Sequence, residues 1–147
     1  MSNPSIMFYH DGRHPLIYMY EPPMQKEEYE AAVDELVGTS VDALMFCMGD
    51  GRTVLHDTQV GELWGDNVDK WSHIIFRRAH QNAKALIESG NDPLKIVCAR
   101  AHAKGIKVYP TLLMAQGTGN RENDNRGSDW RFNNTHLEIG SASDIDE

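Results

Sequence analysis

The chain is poor in cysteine, in basic clusters and in long apolar runs, and each shortage excludes a class of protein. Two cysteines in 147 residues cannot form a disulfide framework, so we expect a reducing, cytoplasmic setting. No apolar run approaches the roughly 18 residues of a membrane-spanning helix, and the first residues lack the basic and apolar regions of a signal peptide. The longest basic block is Arg77-Arg78 and the net charge is −8. We therefore expect neither nucleic acid nor an anionic membrane as a partner.

The chain nevertheless has enough apolar side chain for one folded core. Hydrophobic residues make up 40% of the 147, which suits a single domain of ordinary size. Residues 1–114 carry 11 basic and 15 acidic side chains, whereas residues 115–147 carry 3 and 7 and are rich in Gly, Asn, Asp and Ser. We interpret residues 1–147 as a single partial α/β domain, with core units over 1–114 and a long polar loop or tail over 115–147.

Apolar patterns in the first 114 residues alternate between strand and helix. Apolar runs predict strands over 6–9, 16–20, 41–48 and 106–114, of which the first two are either separate strands or one interrupted strand. Helical periodicity predicts helices over 25–37 and 71–89, and a third that is capped by Asp92 and ended by Gly105. The run at 41–48 is apolar at nearly every position, as in a strand covered on both faces. The alternation predicts an α/β fold with a parallel sheet and alternating helices.

The lengths of the connections predict where a site would lie. The connections from helix to strand are only a few residues long, whereas those after the strands are long and cover residues 49–70 and all residues beyond 114. Loops longer than about 12–15 residues are usually functional or disordered. Ligands of parallel α/β folds bind beyond the carboxyl ends of the strands. We therefore expect any site at that edge of the sheet.

Carboxylate, aromatic and arginine side chains recur in these loops. The candidate substrate-binding residues are Asp11 near the first strand, Asp50, Arg52 and Trp64 in the first long loop, and Asp129, Trp130 and Arg131 in the last. Further polar residues on the same edge are His10, His56, Asp57, Asp66 and Gln116. Carboxylates beside aromatic faces suit a neutral, hydroxyl-rich ligand, because paired carboxylates can cleave a glycosidic bond and rings stack on sugar faces. The simpler alternative is that Asp50 forms a turn between two glycines and that Trp64 and Trp130 hold the loops to the core.

Three stretches of the chain resemble (β/α)8 glycosidases. Residues 101–114 are similar to a helix that ends in glycine and leads through a short strand into a substrate-facing loop. Residues 6–12 and 41–48 are similar to the first units of family-10-like glycosyl hydrolases, and Asp129-Trp130-Arg131 lies in the next loop. The resemblance implies the first three or four β/α units of an incomplete (β/α)8 barrel, since a whole barrel needs about 200 residues or more.

The resemblance also implies a function. It implies a carbohydrate-active hydrolase in which this chain is the N-terminal portion and supplies substrate-binding loops at the carboxyl edge of the strands. The catalytic carboxylates would lie on later strands, past Glu147, so this chain alone would be inactive. Its partners would be a carbohydrate substrate and the remainder of the barrel, or a second copy that pairs with the exposed edge of the strand at 106–114.

Two other classes of protein stay open. A small non-catalytic α/β binding or interaction domain would be complete at 147 residues. A metal-dependent hydrolase would use His10, Asp11 and His14, although this spacing lies in an Asp-Gly turn and not on a helix. The glycine-rich segments at 49–51 and 117–119 lack the spacing of phosphate-binding loops, so we expect no nucleotide and no other cofactor.

Overall fold

Within residues 6–114, 121–122 and 124–137, which the computed structural model describes, five strands form one mixed sheet. The strands are β1 (Met7–His10), β2 (Ala43–Asp50), β3 (Thr53–Val54), β4 (Glu62–Leu63) and β5 (Lys107–Leu113). Strands β1 and β5 both run parallel to β2, β1 along residues 43–46 and β5 along residues 43–50. Strand β2 therefore lies between β1 and β5 in the sheet.

The prediction of a purely parallel sheet is wrong because the chain reverses directly after β2. Asp50 pairs with Thr53 in an antiparallel hairpin, so only Gly51 and Arg52 form the turn. Gly51 has φ +59°, a conformation that two-residue hairpin turns favour and that glycine adopts without a Cβ clash. Strand β4 then pairs with β3, so the loop predicted over residues 49–70 contains two short strands.

The predicted helices form, with slightly shorter limits. They are α1 (Lys26–Asp34), α2 (Ile74–Glu88) and α3 (Pro93–Ala103), and a fourth short helix, α4 (Asp129–Asn133), lies in the segment predicted to be loop. The cap of α3 is as predicted, since the Asp92 carboxylate accepts a hydrogen bond of 3.0 Å from the amide of Lys95. Gln25 and Glu28 form a capping box at the start of α1.

The predicted strand at 16–20 does not form. Its residues belong to a π-helical turn, Pro15–Met19, whose first three side chains are buried. Proline is well suited to begin a helical turn, because its φ is fixed near the helical value. The side chain of Asn82 on α2 donates hydrogen bonds to the carbonyls of Leu16 and Tyr20, at 2.9 and 3.0 Å. A short apolar run is ambiguous between strand and helix, and here tertiary contacts decide the outcome.

The helices pack on one face of the sheet. Alternate residues of β2, namely Leu44, Phe46 and Met48, join side chains of α1, α2 and α3 in one hydrophobic core. The opposite face carries Tyr9 and Tyr109, which are 47% and 43% exposed. No helix in the described part of the chain is long and apolar enough to cross a membrane.

Candidate functional site

Two predicted carboxylates meet at the carboxyl edge of the parallel strands. Asp11 directly follows β1, and Asp50 is the last residue of β2. Arg13 lies between them: its Nε donates to Asp11 Oδ1 at 3.0 Å, and its Nη1 donates to Asp50 Oδ2 at 2.8 Å. Sequence reasoning selected both carboxylates and missed the arginine that joins them. The signal for it was the spacing, because Asp11 and Arg13 stand two residues apart in a turn beside a strand end.

The backbone around Asp11 is held in place by close packing. A Cβ on Gly12 would lie 2.2 Å from the carbonyl oxygen of Cys47, so only glycine fits where this turn crosses β2. The hydroxyl of Tyr29 donates to the carbonyl of Gly12 at 3.1 Å. The amide of Arg13 donates to Asp11 Oδ1 at 3.1 Å, an Asx-type turn that aims the arginine side chain toward Asp50.

Burial and charge act differently on the two carboxyl groups. The side chain of Asp50 is 1% exposed and that of Asp11 is 42% exposed. Burial raises the pKa of Asp50 above its ordinary value, and the charge of Arg13 opposes the rise. Burial also acts to raise the pKa of Asp11, but hydrogen bonds from Arg13 and its charge hold that pKa below its ordinary value. The trio therefore consists of a charged, exposed carboxylate, a guanidinium and a buried carboxyl group.

A pocket of about 180 Å³ opens beside this trio and brings four of the predicted residues together. We call it the carboxyl-edge pocket; its lining residues are Asp50, Gly51, Arg52, Met114, Arg126, Gly127, Ser128, Trp130 and Arg131. The guanidinium carbon of Arg52 lies 5.1 Å from the ring centre of Trp130, in cation–π contact. The pocket is therefore formed by the β2–β3 turn, the end of β5 and the segment that contains α4.

The charges in the carboxyl-edge pocket are mainly positive, contrary to the expected cleft lined by carboxylates. Arg52, Arg126 and Arg131 line it, whereas Asp50 is its one lining carboxylate among the described residues. The carboxylate of Asp124, which is buried and does not line the pocket, lies 3.8 Å from Arg126 and 3.4 Å from Arg131. Sequence reasoning missed Arg126 and Asp124. Their signal was the dense alternation of charged residues between 121 and 131.

Hydrogen bonds from β4 position the segment that carries Trp130. The carboxylate of Glu62 accepts from the amides of Asp129 and Trp130, at 2.8 and 3.1 Å. The Ser128 hydroxyl accepts from the amide of Arg131 at 3.1 Å and caps α4. Hydrogen bonds between side chains and the backbone thus hold the segment around α4 in place, although it buries few apolar groups.

The structure places the other predicted residues outside the carboxyl-edge pocket. Trp64 is fully buried and its ring packs edge-on against Phe76, with 5.7 Å between ring centres, so it offers no surface to a ligand. Asp129 accepts hydrogen bonds from Asn67, at 2.8 Å, and from Arg121. It faces a second, open depression of about 730 Å³, which His56, Asp57 and Asp66 also line. Gln116 and residues 138–147 lie outside the described residues.

The histidines of the metal-dependent alternative each pack against a different aromatic ring. The ring of His10 stacks on Phe46 with 4.9 Å between ring centres, and that of His14 lies beside Tyr18 at 5.3 Å. Asp11 is engaged by Arg13 instead. Among the residues that the structure describes, no three His, Cys, Asp or Glu side chains are placed to hold a metal ion.

Comparison with known proteins gives no family for the chain. No protein-family model matches it, and no curated protein sequence matches it at a significant level. The resemblance to family-10-like glycosyl hydrolases therefore stays a prediction from local pattern. The geometry of the carboxyl-edge pocket is the observation that bears on function.

Proposed function

We propose that the chain is the N-terminal portion of a glycosidase-like (β/α)8 protein and that the carboxyl-edge pocket binds carbohydrate. The observation that carries this proposal is the convergence of Asp50, Arg52, Trp130 and Arg131 in one pocket. Two of these residues come from the end of β2 and its turn, and two from α4, more than 75 residues later. The pocket lies at the sheet edge where barrel enzymes bind their substrates.

The arrangement of strands supports a barrel-like architecture. Strands β1, β2 and β5 are parallel and adjacent in the sheet, and the helices between them in the chain join one core on one face. In a barrel, the other face becomes the interior and is filled by side chains of the closing strands. Tyr9 and Tyr109 on that face are large and partly exposed, and further strands of a barrel would bury them.

The chemistry of the carboxyl-edge pocket suits a sugar ring. Trp130 is 45% exposed, so part of its ring is open to the apolar face of a sugar. Guanidinium groups beside it offer several hydrogen-bond donors in fixed directions, which hydroxyl oxygens accept. The volume of about 180 Å³ is below the ~300 Å³ at which sites for drug-sized ligands begin, so we expect a subsite for a single ring.

A non-catalytic α/β binding domain is the second candidate, and the contacts of Arg13 favour it. Both carboxylates beside the pocket, Asp11 and Asp50, accept two side-chain hydrogen bonds each from Arg13. A carboxyl group whose oxygens both accept hydrogen bonds from a guanidinium is poorly placed to exchange a proton with a substrate. Binding without hydrolysis is the activity that this candidate predicts, whereas the first candidate requires catalytic carboxylates elsewhere.

Calorimetric titration of the chain with a panel of oligosaccharides tests the proposal. We expect weak binding by wild type and a loss of about tenfold in affinity for Trp130→Ala, the size of one stacking contact. The matched control is Tyr18→Ala, which removes an aromatic ring that is 60% exposed on the π-helical turn. Equal affinities for wild type and Trp130→Ala, or no binding by any sugar in the panel, would contradict carbohydrate binding at this pocket.

A further inference from the structure

The carboxyl-edge pocket concentrates positive charge in an acidic protein. The chain has a net charge of −8, yet Arg52, Arg126 and Arg131 line one small pocket. Among the described residues, those that line the pocket include three arginines and the single carboxylate of Asp50, a local balance of +2 that is opposite in sign to the charge of the whole chain.

The charge of Arg52 is the one that a ligand can use. Its Nη2 donates to the neutral carbonyl of Val60, and its guanidinium lies over Trp130. In the described part of the chain, no carboxylate forms an ion pair with Arg52. By contrast, Arg13 is held by two carboxylates, and Asp124 lies against the two other arginines of the pocket. An anionic group beside Arg52 would therefore meet a charge that no carboxylate among the described residues pairs with.

We propose that the sugar bound in the carboxyl-edge pocket is an acidic one, with its carboxylate on Arg52 and its ring against Trp130. This inference rests on the proposed function, because it names the class of carbohydrate that the same pocket takes. A guanidinium binds a carboxylate through two parallel hydrogen bonds, a geometry that a lysine ammonium does not reproduce. A neutral sugar would leave this capacity unused.

The acidity of the remaining surface limits the length of the ligand. A net charge of −8 repels polyanions that extend beyond the pocket. Nucleic acids bind through many phosphate contacts, which one small pocket cannot provide. A short oligouronide, with a few carboxylates on apolar-faced rings, fits both the local positive charge and the negative surroundings.

The test compares two ligands that differ only in charge. Calorimetry would measure binding of a short oligouronide and of the same oligosaccharide after reduction of its carboxyl groups, with inorganic sulfate as the free anion. The variants are Arg52→Gln and Arg52→Lys. The matched control is Arg77→Gln, which removes the same charge from an exposed position on α2.

We expect wild type to bind the oligouronide about tenfold more tightly than its reduced form, as one charge-assisted contact allows. Arg52→Gln should remove that preference, so that the oligouronide and its reduced form bind with affinities within about twofold of each other, whatever weakening both share from the lost contact of Arg52 with Trp130. Arg52→Lys should restore it only in part, and Arg77→Gln should keep it in full. The preference of wild type should also weaken at high salt, a measurement that needs no variant.

Two results would overturn the inference while leaving carbohydrate binding intact. One is equal affinity of wild type for the oligouronide and its reduced form. The other is an unchanged preference in Arg52→Gln, which would place the anion elsewhere. Inorganic sulfate that binds as tightly as the oligouronide would also overturn it, because the pocket would then recognise an anion and not a sugar. If neither sugar binds, the proposed function itself fails.

Discussion

Replacement of Arg13 by leucine should destabilise the protein more than the loss of any surface charge. Arg13 is the common partner of Asp50, whose side chain is 1% exposed, and of Asp11. Removal of one partner of a buried ion pair costs about 3–5 kcal/mol, because the other charge stays buried and unpaired. The 42% exposure of Asp11 lets water replace that half of the contact, so we expect a loss of ~3 kcal/mol in the free energy of unfolding.

The loss should depend on pH with a defined sign. Burial already raises the pKa of Asp50, and without Arg13 nothing in the trio opposes that rise. A carboxyl group with a higher pKa in the folded chain binds more protons when folded, so stability falls as the pH rises from about 4 through the raised value. In wild type the pKa of Asp11 lies below its ordinary value, so Asp11 contributes stability that is fully present above the ordinary value and is lost as the pH falls through the lowered one. Arg13→Leu removes this contribution. The raised pKa of Asp50 therefore makes Arg13→Leu more damaging at pH 7.5 than at pH 4.5, whereas the loss through Asp11 is nearly the same at both pH values, because both lie above the ordinary pKa of an aspartate.

Urea unfolding followed by circular dichroism at these two pH values measures the effect. A loss of ~3 kcal/mol corresponds to a melting temperature lower by about 6–12 °C in a chain of this size. The double variant Arg13→Leu with Asp50→Asn should recover part of the loss, since it removes the unpaired charge, and exposed Arg77→Leu is the control. The reasoning is refuted if Arg13→Leu unfolds at the wild-type midpoint, or if its loss is the same at both pH values.

Two further substitutions probe the supports of the same region by urea unfolding. Asn82→Ala removes three hydrogen bonds to backbone groups of residues 16, 20 and 24, so we expect a loss of about 3 kcal/mol; a loss below about 1 kcal/mol would mean that water replaces the amide. Gly12→Ala would place a Cβ 2.2 Å from a carbonyl oxygen of β2, so we expect a loss of about 2 kcal/mol or more from the forced backbone shift. An unfolding midpoint equal to that of wild type would show that the turn before Arg13 moves freely.

Features encoded by neighbouring residues were predictable from the sequence. The cap of α3 needs only Asp92 and Pro93 in succession, and the continuous apolar run before Asp50 predicts a buried central strand. The placement of Asp50 and Arg52 at the carboxyl edge follows from the strand that precedes them. The turn at Pro15–Met19 was not predictable, because Asn82, more than 60 residues away, accounts for its contacts.

The sequence by itself therefore determined the alternation of strands and helices and the edge at which polar loops collect, since both depend on local periodicity and loop length. The tertiary structure alone decided which of those polar residues meet. It placed Arg13 between Asp11 and Asp50, buried Trp64 in the core and brought Trp130 to Arg52. The physical reason is that ion pairs, burial and cation–π contacts join residues far apart in the chain, and no local pattern records which partners the packing brings together.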